Sequence, residues 1–130
     1  MMNNLITAKK RPLSYREIRA FKESVDFDPP KEFIEFFGQS NGALISSKNG
    51  RIVLWPLTDM VKLNREYYVE QLASGLFIFG SDGGDTAYCI EKDTGYIYDM
   101  PFIGMLCDLS FVCRSFTEFL EGPLERVCND

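Results

Sequence analysis

Apolar and polar positions change their spacing several times along the chain, and each change marks a new element. The clearest block is Phe77 to Asp99. Residues 76–79 form a wholly apolar run of strand length with two aromatics. Residues 86–91 and 96–99 follow, the last with Tyr96 and Tyr98 alternating against Ile97. β-branched and aromatic residues suit a pleated, half-buried surface, so three strands are predicted here. Glu91-Lys92-Asp93-Thr94-Gly95 fits a short hairpin connection with Gly95 at the positive-φ position of a bulge. Ser81-Asp82-Gly83-Gly84-Asp85 breaks both flanking strands. An antiparallel meander is therefore expected at the centre of the fold.

Helical spacing appears on both sides of this block. Ser14-Tyr15-Arg16-Glu17 reads as a capping box, followed by Ile18, Phe21 and Val25 on one face of a helix to about residue 24. Asp28 is expected to cap a second helix opened by Pro29-Pro30 and closed by Asn41-Gly42. Its stripe Phe33, Phe36 and Phe37 reads as core, with Lys31, Glu32 and Glu35 facing outward. Short strands are predicted over 43–45 and 51–54, joined through Asn49-Gly50, a hairpin signal. Thr58 is expected to cap a third helix to about residue 68 or 73, with Gly75 as its stop and a poorly defined apolar side.

Met100-Pro101-Phe102 ends the third strand of the meander, since proline cannot donate to a ladder. Residues 103–112 are apolar and irregular, a loop with one short strand. Ser115-Phe116-Thr117-Glu118 is a second capping box, opening a helix that stops at Gly122-Pro123. Residues 124–130 read as a short turn or a frayed end, and the polar stretch 1–13, with Lys9, Lys10 and Arg11, as a loosely held arm. There is no internal repeat or low-complexity segment, so residues 1–130 read as one domain.

Composition narrows the chemistry. With 45% hydrophobic residues and 11 phenylalanines in 130, a core forms without metal or disulfide support. Cys89, Cys107, Cys113 and Cys128 are scattered with no Cys-x-x-Cys pair, which reads as reduced thiols. Histidine is absent, which excludes Ser-His and Cys-His nucleophilic arrangements. No cofactor and no metal are expected. No apolar run reaches membrane-spanning length and the first residues lack a signal-peptide core, so the cytoplasm is expected, without a membrane partner.

A net charge of −5 argues against nucleic-acid binding. It fits either simple solubility or docking onto a basic protein. Asp82 and Asp85 are open to three readings: caps of a turn, a hard-cation site, or an acid–base pair. The spacing falls short of a calcium loop. Gly83-Gly84 leads into a strand between two carboxylates, which is unsuited to phosphate.

Four quoted stretches carry a family resemblance. Phe77 to Ile90, an apolar strand, a loop ending in Gly84-Asp85 and a strand with an aromatic, resembles the central signature of the SUKH superfamily. That superfamily is the Smi/Knr-like domain of bacterial immunity proteins and fungal cell-wall regulators. Gly95-Tyr96-Ile97-Tyr98, the proline-initiated helix from Pro30 to Asn41-Gly42, and Ser115 to Leu120 match its other motifs in order. The resemblance implies an α+β single domain, an antiparallel meander flanked by helices. It also implies a non-enzymatic cytoplasmic immunity protein that binds and neutralises a cognate secreted toxin domain, of nuclease or deaminase type, by occlusion. The alternatives are a regulatory or scaffold module of the Smi/Knr cell-wall type, and an enzyme or metal-binding protein using the Asp82/Asp85 loop. For the toxin reading the candidate contact residues are Glu32, Glu35, Trp55, Tyr67, Asp82 and Asp85. Trp55, the one tryptophan, reads either as a partner anchor or as packed at the sheet edge.

Overall fold

The computed structural model describes residues 5–47 and 50–122. Seven strands lie in it: β1 (Leu5–Lys9), β2 (Ala43–Ser47), β3 (Gly50–Leu54), β4 (Leu76–Ser81), β5 (Thr86–Glu91), β6 (Ile97–Pro101) and β7 (Ser110–Cys113). Each pairs antiparallel with its neighbours in sequence, giving one sheet in the order β1 to β7. The helices are α1 (Tyr15–Ser24), α2 (Lys31–Gln39), α3 (Leu57–Glu66), α4 (Val69–Leu72) and α5 (Phe116–Glu121), with a 3-10 helix at Met105–Asp108. The fold is α+β, as the resemblance implies, with the expected antiparallel meander in β4, β5 and β6.

The register of that block sorts its side chains. Phe77 pairs with Ile90 and Ile90 with Ile97, while Ile78 pairs with Cys89 and Cys89 with Tyr98. Because strand side chains alternate, Phe77, Phe79, Tyr88, Ile90 and Ile97 serve one core, and Leu76, Ile78, Ala87, Cys89 and Met100 the other. Both faces of β4 are covered, which explains its uninterrupted apolar run.

The first face receives α1, α2 and α5 through Phe21, Phe33, Phe37, Phe116 and Phe119. Phe33 is central there, with ring centroids 4.7 Å from Phe37, 5.0 Å from Phe116 and 5.9 Å from Phe79. Burying one such ring stabilises the fold by about 2–3 kcal/mol. The second face is covered more thinly, by Val69 and Ala73 from the α4 segment and Met105 from the 3-10 helix.

Between β3 and β4 the sheet nearly divides. Only Val53–Ser81 and Leu54–Gly80 are in register, helped by the Trp55 N–H donating to the Phe79 carbonyl at 3.0 Å. A side chain at Gly80 would put its Cβ 2.6 Å from the Val53 carbonyl oxygen, so only glycine allows this approach. Where β3 leaves β4, α3 takes its place. The Asn64 amide donates to the Ile78 carbonyl and accepts from the Ile78 N–H, both at 2.8 Å, and also donates to the Met60 carbonyl. One buried side chain thus completes the ladder.

Several boundaries differ from expectation, each for a local reason. Asp28 does not cap α2: Pro29, which would then be the first helical residue, precedes Pro30 and is driven from helical conformation, and Pro30 takes the N-cap with extended backbone. Thr58 does not cap α3 either, which begins after Pro56. Asn41 serves instead, its Oδ1 accepting from the Thr58 N–H at 3.3 Å and its Nδ2 donating to the Thr58 hydroxyl at 3.0 Å. Residues 5–9 of the expected loose arm pair with β2, and Leu13 is buried in the first core. The third strand of the meander starts one residue later and ends at Pro101, its last pairing position. The irregular stretch 103–112 supplies the 3-10 helix and most of β7.

Other expectations hold. Ser14 and Glu17 form the complete capping box; of the second box only the Ser115 half forms as expected, Ser115 accepting from the Glu118 N–H while the Glu118 carboxylate accepts from the Arg114 N–H at 3.0 Å. The Gly95 φ of 78° closes the β5–β6 turn as predicted. Asn49, Pro123 and the expectation for 124–130 lie outside the described residues.

Candidate protein-docking surface

The β4–β5 corner is built by its own side chains. Asp82 Oδ1 accepts from the N–H groups of Gly84 (2.8 Å) and Thr86 (3.2 Å), and the Asp82 N–H donates to the Thr86 carbonyl. Ser81 Oγ accepts from the Gly83 N–H. This is the turn-capping arrangement open to a short aspartate. The Asp85 carbonyl accepts from the Phe102 N–H at 2.9 Å, tying the corner to the end of β6.

Beside that tie stands an aromatic stack. Trp55 and Tyr67 have ring centroids 6.1 Å apart at 14°, Trp55 and Phe102 6.2 Å at 20°, and Tyr67 and Phe102 4.8 Å at 33°. Trp55 is half-buried against both cores, so it is at once a packed residue and part of an open surface. Tyr67 remains 41% exposed.

Four of the six sequence-predicted contact residues therefore share one region: Trp55 and Tyr67 in the stack, Asp82 and Asp85 in the adjoining corner. Glu32 and Glu35 do not join them. They lie on α2, whose Phe33 and Phe37 pack on the first face, whereas the stack borders the second. Phe102 was missed because Met100-Pro101-Phe102 carries a strand-stop signal, and nothing local announces a ring that stacks with residues far away in sequence.

Asp82, Asp99 and Asp108 lie close enough for their charges to act on one another. Asp99 titrates above the ordinary carboxylate range because of burial, then the nearby charges of Asp108 and Asp82. Tyr88 is pushed up to about 12 by burial and by Asp82 and Asp99. The Cys89 thiol is raised by burial and by Asp99 and Glu91, which makes it an inert core group. Cys89 and Cys107 are free thiols, the Cys113 Sγ donates to the Ser115 carbonyl, and Cys128 lies outside the described residues; among the described residues no group of three or more His, Cys, Asp or Glu is placed to hold a metal ion. None of the helices described is long and apolar enough to cross a membrane.

On the other side of α4 lies an open groove of about 480 Å³ between α1, α3 and α4. Lys92 bridges it, 2.8 Å from Asp26 and 3.0 Å from Glu70. Burial opposes the Lys92 charge, but these carboxylates outweigh it and raise the pKa above the ordinary lysine value. Asp26, Glu70 and Lys92 of this groove are paired with one another and hold α4 to the rest of the fold, and Arg65 also lines it.

No curated protein matches this chain. The SMI1 / KNR4 family (SUKH-1) model matches residues 12–122, from just before α1 to the end of α5. The match spans the motifs on which the resemblance rested, and the chain belongs to the SMI1 / KNR4 family (SUKH-1).

Proposed function

We propose that this chain is a cytoplasmic immunity protein that binds a cognate toxin domain and neutralises it by covering its active site or substrate path. The mechanism needs shape and charge on a rigid frame and no catalytic group. The observation that supports it most is the Trp55–Tyr67–Phe102 stack, part-exposed beside an acidic corner. Aromatics held rigid at low entropic cost are what interface hot spots use. The carboxylates of Asp82 and Asp85 speed encounter with a basic partner such as a nuclease or deaminase substrate face.

The same corner argues against chemistry at Asp82, whose Oδ1 is committed to two backbone N–H groups. The test is co-expression of this chain with the toxin-domain product of the adjacent gene. Growth is restored in the presence of the chain if the proposal is right. Toxicity that persists with both proteins soluble and abundant rejects it, and leaves the regulatory-module reading in its place.

A further inference from the structure

The two faces of the molecule differ in what they leave exposed. Apart from Tyr15, every exposed large hydrophobic among the described residues sits on the α3–α4 segment or between Tyr96 and Phe111. The connection from β6 to β7 is the extreme case. Ile103 is 92% exposed and Leu106 50%, although Met105 between them is buried as a plug in the second core. The plug fixes the 3-10 helix, so its apolar neighbours are presented on a held loop. Phe102, one residue before Ile103, lies in the aromatic stack, so stack and loop adjoin. Exposed apolar groups gathered in this way mark interaction sites more often than isolated ones do.

The charge around the loop restricts what can dock there. Asp108 ends the 3-10 helix, and Asp82 and Asp85 form the corner bound to Phe102. At that corner the Arg51 guanidinium lies over Gly83. Carboxylates outnumber it, so the field at the patch is negative and favours a basic surface.

We infer that the β6–β7 connection, with Ile103 and Leu106 next to the Trp55–Tyr67–Phe102 stack and rimmed by Asp82, Asp85 and Asp108, is the docking surface for a basic protein partner, the toxin domain itself. This rests on the immunity reading and adds which face carries it. Glu32 and Glu35 on α2 lie outside the footprint. The partner presents apolar or arginine side chains to the loop, and its basic rim meets the three aspartates.

The experiment is calorimetric titration of the purified toxin-domain product of the adjacent gene with the wild-type chain, Ile103→Lys, Tyr67→Ala and the double variant Glu32→Lys/Glu35→Lys. Ile103 is almost wholly exposed, so its replacement leaves the fold intact, and circular dichroism confirms this for each variant. Wild type is expected to bind, more weakly as salt rises. Ile103→Lys and Tyr67→Ala each lose about tenfold or more in affinity, as hot-spot truncations do. The α2 double variant stays within about threefold of wild type, as residues outside an interface do. Wild-type binding that Ile103→Lys and Tyr67→Ala leave unchanged overturns the placement and leaves the immunity reading standing. A wild-type chain that does not bind the toxin domain overturns both. A wild-type dimer that Ile103→Lys dissociates also overturns it, since the patch would then be occupied by a second copy of this chain.

Discussion

Asn64 does the work of a strand. Its amide meets the N–H and C=O of Ile78 where β3 has left β4 without a neighbour, and it is itself buried. Asn64→Ala would leave both Ile78 groups buried without these partners, which costs about 2–4 kcal/mol for two such groups. Urea unfolding read by tryptophan fluorescence measures this as a lower midpoint at unchanged slope. Glu17 is a different kind of residue, half-buried and held by its hydrogen bond from Arg11 and then that from the Ser14 N–H, which lower its pKa from 4.5 to about 2. A carboxylate with a depressed folded pKa stabilises above its unfolded value and loses that contribution as pH falls. The capping box should therefore contribute fully above pH 4.5 and weaken as pH drops through about 2. An NMR titration of the Glu17 side chain checks it, and Arg11→Ala should move the midpoint upward toward the ordinary carboxylate range.

At the scale of elements, the β3–β4 junction is the narrowest part of the sheet, and Gly80 permits it. Gly80→Ala forces a Cβ against the Val53 carbonyl, and backbone displacement at so short a seam is expected to cost about 2–4 kcal/mol. Differential scanning calorimetry would show the lowered Tm. The α4 segment, one turn long, is held by Val69 and Ala73 beneath and by the Lys92–Glu70 bridge beside. Lys92→Ala should raise hydrogen exchange at the amides of Leu72 and Ala73 while leaving α2 protected, because the bridge is local.

These elements also show what a sequence exposes. The meander and its Gly95 turn, the Ser14 box and the α2 phenylalanines were legible because each signal is local: alternation, a required positive φ, a three-residue reach. Asp28 and Thr58 misled because proline geometry and a cap donated from Asn41 override the nearest good capping residue. The strand β1 was illegible against the charged Lys9-Lys10-Arg11 beside it, since its partner lies far along the chain. The aromatic stack draws on three separate connections, just past β3, α3 and β6, and had no local signal beyond Trp55 and Tyr67 themselves.

Taken whole, the molecule is lopsided. One face is sealed by α1, α2 and α5 over a phenylalanine core, and the other is thinly covered and keeps its exposed apolar groups, with the carboxylates of the β4–β5 corner ringing their edge. A net charge of −5 gathers partly at that ring, so association with a basic partner should slow as ionic strength rises. Stopped-flow association rates across a salt series measure this directly. The SMI1 / KNR4 membership fixes the kind of domain, and the lopsided surface is what gives the occlusion proposal its physical form. The measurement that reaches furthest is the activity of the purified toxin domain titrated with this chain. An occluding protein predicts a linear fall in activity that ends at one chain per toxin and recovers when the complex is dissociated. Inactivation by far less than one equivalent, with the toxin chemically altered afterwards, would contradict it.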